Sequence, residues 1–194
     1  MKNDGSKSNT DFADKTDIVI GVSSCLLGEN VRYDGGNRLQ GYIADTLGNI
    51  FTLKSFCPEM AIGLGVPRET IKLVQQGDEI RCVGTHTRTL DVTDKLIDLA
   101  YQHRPLHENL CGYIFKKGSP SCGVKNVKLY GLDTQNPDIP QLEGVGLYAR
   151  VLQENFPQMP VEEEDRLADP ILRADFIKRV VAYSRWKVEQ SRNI

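Results

Sequence analysis

Residues 18–22 are apolar or small at consecutive positions and rich in β-branched side chains, which predicts a strand buried on both faces of a parallel sheet. The run ends in SSCLLG. Leu39, Ile43 and Leu47 recur every four residues ahead of Gly48-Asn49, so the spacing predicts a helix over 37–47 with a glycine stop. Residues 50–56 then read as a second strand, ending in CPE. After a glycine-rich stretch, 62–67, residues 71–74 and 79–83 are strand-like around Gln76-Gly77-Asp78, a hairpin expected on the sheet edge. Val92, Leu96, Leu99 and Ala100 form a stripe over 91–102, a helix capped by Asp91 or Thr93 and ended by Pro105. Another strand over 110–115 runs into KKGSPSCG, and a helix is expected over 146–156. Asp169-Pro170 starts a last helix over 171–188. Its Leu172, Phe176, Val180 and Val181 should face the body, with Arg173, Lys178 and Arg179 toward solvent.

Strands alternating with helices in this way predict an α/β fold: an open, mostly parallel sheet with helices on both faces and a site at the carboxyl edge of the strands. Residues 1–16 are polar and read as a disordered leader, 17–160 as one catalytic domain, and 161–194 as a helical extension packed on it. The Pro, Asn and Asp content of 131–142 marks a surface loop. A chain of 194 residues with 40% hydrophobic content suits a single core that buries roughly 70% of the unfolded surface.

Charge narrows the partners. Lys+Arg 24 against Asp+Glu 26 leaves a formal net charge of -2, so no whole-chain field draws the protein onto nucleic acid. The polar N-terminus lacks the apolar stretch of a secretory signal and no later run has the length of a membrane span, so a cytoplasmic protein is expected. Nothing in the pattern sets the oligomeric state. Five cysteines, an odd number with no CxxC pair, argue against a disulfide framework in a reducing compartment.

Cys25, Cys57 and Cys122 each fall just after a predicted strand, within or before a turn. In an open parallel sheet such positions converge on one edge. Cys82 lies inside a strand and Cys111 at the start of one, where a small buried hydrophobe is expected. Three converging thiolates admit a zinc site, although such catalytic sites usually include His or carboxylate, and His86, His103 and His107 are badly placed. They also admit a single nucleophilic cysteine, without a histidine beside it as base. An iron-sulfur cluster suits all-thiolate ligation and leaves one iron open. A non-catalytic carrier of such a cluster, or of a metal, is the alternative from another functional class.

Glu59, two positions from Cys57, is a candidate acid/base in surroundings of low polarity, or else a solvated residue in a first helical turn. Ser119 and Ser121 are donors to cluster or substrate, or ordinary turn residues. Asp34, in the turn RYDGG, either binds a substrate N–H or its own backbone.

The motifs SSCLLG, RYDGG, FCPEMAIGLGVPRE, DVT and SPSCG, in this order between Ile18 and Tyr148, resemble the TudS family of thiouracil desulfidases. The resemblance implies an oxygen-sensitive 4Fe-4S cluster held by Cys25, Cys57 and Cys122, with the fourth iron binding the substrate sulfur. It also implies Glu59 as the acid/base carboxylate and a catalytic serine in SPSC, with Ser119 favoured over Ser121. The implied reaction is hydrolytic desulfuration of 2-thiouracil, 4-thiouracil or 4-thiouridine to uracil or uridine and hydrosulfide. The segment from Pro160 onward resembles the junction after which longer relatives continue into a domain thought to hold transfer RNA. Because this chain stops at Ile194, a free base or nucleoside is the expected substrate, with thiolated tRNA left open.

Overall fold

The computed structural model describes residues 17–87, 89–131 and 135–192, so the expected leader over 1–16 lies outside the described residues. Two four-stranded sheets form the body. The first has the order β2-β1-β5-β8, built from β1 (Val19–Ser23), β2 (Thr52–Phe56), β5 (Tyr113–Phe115) and β8 (Val161–Glu163), and all its pairings are parallel. The second has the order β4-β3-β6-β7, from β3 (Ile71–Gln76), β4 (Glu79–Gly84), β6 (Val127–Tyr130) and β7 (Gln141–Gly144). In it β3 is antiparallel to β4 and parallel to β6, and β6 is antiparallel to β7. Among the described residues five α-helices accompany them: α1 (Pro58–Ala61), α2 (Thr93–Gln102), α3 (Arg104–His107), α4 (Leu147–Asn155) and α5 (Pro170–Arg192).

The parallel sheet is covered on both faces, as its apolar strands require. On one face Ile20, Val22 and Ile114 pack with Phe176 and Val180 of α5. On the other, Tyr113 and Phe115 pack with Tyr148, Val151 and Leu152 of α4. A third cluster joins Leu73, Cys82, Val127 and Leu129 of the second sheet to Leu96 of α2. In β1 a side chain at Gly21 would meet the Tyr113 ring at 2.4 Å, so glycine is what lets β5 close beside β1.

Three expectations are corrected. The β3-β4 hairpin does not border the parallel sheet. It founds the second one, because β3 pairs on its other side with β6 (Leu73 opposite Leu129), and Leu73 of β3 and Cys82 of β4 are buried with Leu96 of α2. The helix expected over 37–47 is shorter, a π-helical stretch Tyr42–Leu47, and Leu39 is 56% exposed. The backbone there is committed elsewhere: Arg38 N donates to Cys25 O at 2.8 Å and Gln40 N to Leu26 O at 2.9 Å, tying 38–40 to the turn after β1. On α5, Lys178 faces solvent, but Arg173 bonds Leu167 O at 3.1 Å and Arg179 bridges Asp175 and Glu162. Strands β6, β7 and β8 are four, four and three residues long, too short to leave a periodic signal.

Candidate active site

The carboxyl ends of β1, β2 and β5 open into one cavity of about 410 Å³, lined by Cys25, Cys57 and Cys122 together with Glu59, Ser119 and Arg68. Each cysteine is delivered by a different local device. Cys25 sits in the 3₁₀ turn Ser24–Leu27, which follows β1 and ends at Gly28 in the left-handed conformation (φ 90°). Cys57 is the residue before Pro58 opens α1. Cys122 belongs to the loop after β5, clamped against the start of α4: Gly146 N donates to Gly123 O at 2.8 Å, Leu147 N to Pro120 O at 3.0 Å and Ala149 N to Ser121 O at 3.2 Å. From β8, Glu163 accepts Val124 N at 2.9 Å, while Glu164 accepts Lys117 N at 2.7 Å and the Lys116 ammonium.

All five cysteines are free thiols. Cys82 and Cys111 are buried in the apolar clusters and do not line the cavity. Burial pushes the Cys25 thiol up to about 11, against the pull of the nearby Lys116 and Arg32 cations. Burial raises Cys57 and Cys122 as well, and the charge of Cys57 adds to the rise at both other cysteines. Neutral buried thiols of this kind are inert unless a cation draws off their protons. Among the described residues no three His, Cys, Asp or Glu side chains close on a point that a single metal ion could occupy. Three soft donors facing one cavity from separate loops, without a fourth, fit a multi-iron cluster better than one tetrahedral zinc.

Glu59 is not in the low-polarity surroundings expected of it. Its Oε2 accepts Arg68 Nε at 3.0 Å and Nη2 at 2.8 Å. Its Oε1 accepts Ser121 Oγ at 2.7 Å and Ser119 Oγ at 3.4 Å. The two serine oxygens are 2.9 Å apart. Ser119 lines the cavity, whereas Ser121 is fully buried behind it, so Ser121 is in no position to touch a substrate from this conformation. Asp34 does not join the group: its Oδ1 accepts Gly36 N at 3.0 Å and stands 3.5 Å from Arg32 Nε, so it serves its own turn. His103 and His107 cluster around the Tyr148 hydroxyl and do not line the cavity.

Several site residues escaped the sequence reading. Arg68 lies inside the motif GLGVPRE, where an arginine among turn residues was the available signal. Arg32, Arg38 and Lys116 line the cavity, and Ile71 at the start of β3, with Thr70 just before it, brings the second sheet to its wall.

With this geometry in hand, residues 20–164 match the model of the 2-thiouracil desulfurase family. Among solved structures the chain is similar to the 4Fe-4S-dependent thiouracil desulfidase TudS, with 30% identity and a TM-score of 0.59 over 82% of this chain and 97% of that one. No curated protein sequence matches it.

Proposed function

Since the chain belongs to the 2-thiouracil desulfurase family, we propose that it removes the sulfur of a thiolated uracil (2-thiouracil, 4-thiouracil or 4-thiouridine), leaving uracil or uridine and hydrosulfide. Cys25, Cys57 and Cys122 would hold a 4Fe-4S cluster, the group on which the similar TudS structure depends. The cluster, when bound, supplies an iron without a protein ligand, a Lewis acid that polarises the thiocarbonyl through its sulfur. Residues 17–160 form the catalytic domain, and 161–192 brace it through β8 and α5.

Glu59 Oε1 is the proton acceptor for the water that adds to the thiocarbonyl carbon. Ser119 presents its hydroxyl to the cavity, and its proton path runs through Ser121 Oγ to Glu59 Oε1. Ser119 is therefore the serine at the substrate and Ser121 the link behind it. The carbon gains the water oxygen, the C–S bond breaks, and sulfur leaves as hydrosulfide with no net change of oxidation state. Lys116 and Arg32 place positive charge beside Cys25 and favour its thiolate.

The observation that carries this reading is the serine-bonded carboxylate in the same cavity as the three thiols. A cluster carrier has no use for a proton acceptor there. The test is hydrosulfide release from 2-thiouracil, 4-thiouracil, 4-thiouridine and thiolated tRNA by anaerobically reconstituted protein. Glu59→Gln at matched iron content should lose roughly 10²- to 10⁴-fold in rate while keeping the cluster. A holo-protein that releases no hydrosulfide from any of the four would favour the carrier.

A further inference from the structure

We infer that Arg68 is the positioning residue of this site, holding Glu59 so that a single carboxylate oxygen, Oε1, is left for proton transfer; the inference rests on the acid/base role given to Glu59 above. Arg68 is the most deeply enclosed cation of the described ion pairs, with its side chain 6% exposed and that of Glu59 15%. A guanidinium has five N–H donors, and every one is engaged within the protein. Nε and Nη2 go to Glu59 Oε2 at 3.0 and 2.8 Å, Nη2 also to Val31 O at 2.9 Å, and Nη1 to Gly65 O at 2.8 Å and the Met60 sulfur at 3.7 Å. Arg68 therefore borders the cavity with no N–H left to bind a substrate.

What it does instead follows from where the bonds run. Both contacts to Glu59 fall on the same oxygen, which fixes the carboxylate's rotation and turns Oε1 toward Ser121 and Ser119. The carbonyls that grip Arg68 come from two segments, Val31 beside the RYDGG turn and Gly65 in the glycine-rich stretch, and Arg68 N donates to Tyr33 O at 3.0 Å. The guanidinium thus references the carboxylate to the loop that also carries Arg32 and Arg38. An ammonium supplies a point charge without the rigid fork, so lysine cannot reproduce the restraint.

A residue that acts only through Glu59 makes a distinctive pattern. In the reconstituted enzyme at matched iron, Arg68→Met should lower kcat for the best thiolated base by about 10- to 10²-fold, the size expected when a reacting group drifts by about an ångström. KM should stay within about twofold, since no substrate contact is removed. Arg68→Lys should fall between Arg68→Met and the wild type. Combined with Glu59→Gln, Arg68→Met should add nothing further, because the group it orients is already disabled. Melting of the wild type, Arg68→Met, Glu59→Gln and the double variant without a cluster supplies a second readout. There the losses in melting temperature should be non-additive, whether or not the protein desulfurates anything. Full kcat in Arg68→Met, a double variant that loses the product of the two single losses, or additive melting shifts would each overturn the positioning role. A coupled melting pattern across these four proteins, with a reconstituted wild type that releases no hydrosulfide, would sink the proposed function alone.

Discussion

Gly146 offers a direct way to ask whether the Cys122 loop is built by its contact with α4. A Cβ at this position would meet Cys122 N and Ser121 C at 2.6 Å and Ser121 O at 2.7 Å. All three are backbone atoms, so no side chain can swing aside. The alanine variant must push the loop from the helix start, straining bonds such as Leu147 N to Pro120 O and Ala149 N to Ser121 O. Overpacking of this kind costs about 1–3 kcal/mol, and weakening one internal hydrogen bond adds about 1 kcal/mol. A loss of about 2–4 kcal/mol corresponds to roughly 5–15 °C in Tm for a domain of this size. Gly77 is the control, with a positive φ of 59° but nothing within 4 Å of the added Cβ. Its alanine variant should lose only about 1–2 kcal/mol for the left-handed backbone. The assays are thermal melting of the apo-protein and iron retained after anaerobic reconstitution. Gly146→Ala should show both the larger melting loss and a deficit of iron, while Gly77→Ala should bind iron normally. If Gly146→Ala melted like the wild type and reconstituted fully, the claim that α4 shapes the Cys122 loop would be wrong.

Substituting Cys25, Cys57 or Cys122 by Ser should abolish iron binding and hydrosulfide release together, whereas Cys82→Ser should keep the site and lose stability, as measured by iron content and melting. Phe176→Ala removes a fully buried ring between α5 and the parallel sheet; a loss of about 3–5 kcal/mol is expected by urea unfolding, and an unchanged midpoint would show α5 to be a mere appendage. Stability should also fall in mild acid because of His107, which burial lowers to about 4 from its ordinary value of about 6.5. The folded state resists protonating it, so its contribution is whole above about pH 6.5 and shrinks progressively down to about pH 4, by about 3 kcal/mol at most. His107→Gln should flatten that part of the pH-stability curve; an identical slope would refute the assignment.

The α/β class and the convergence of three of the five cysteines on one cavity were legible in the chain because both depend on local order. Consecutive apolar residues at 18–22 mark a strand buried on both faces, and a cysteine just past such a strand has few places to go but the carboxyl edge. The helix at 93–102 and the α5 face of Phe176 and Val180 follow the same way from helical periodicity. Glu59 and the SPSC serines could be picked out as candidates, though not as an arrangement.

The tertiary structure alone decided what those groups do to one another. Whether β3 borders the first sheet or founds a second depends on its pairing with β6, more than fifty residues away, which no window of sequence contains. The difference between the two serines lies in burial: Ser119 faces the cavity and Ser121 lies behind it, which two positions in one loop do not encode. Arg68 lies nine residues from Glu59, and their pairing depends on carbonyls of Val31 and Gly65 that the folded loops bring to the guanidinium. Periodicity reports which side of an element is buried. The partner that meets it there is set by packing between distant segments, where a few hydrogen bonds select one arrangement among many of equal local propensity.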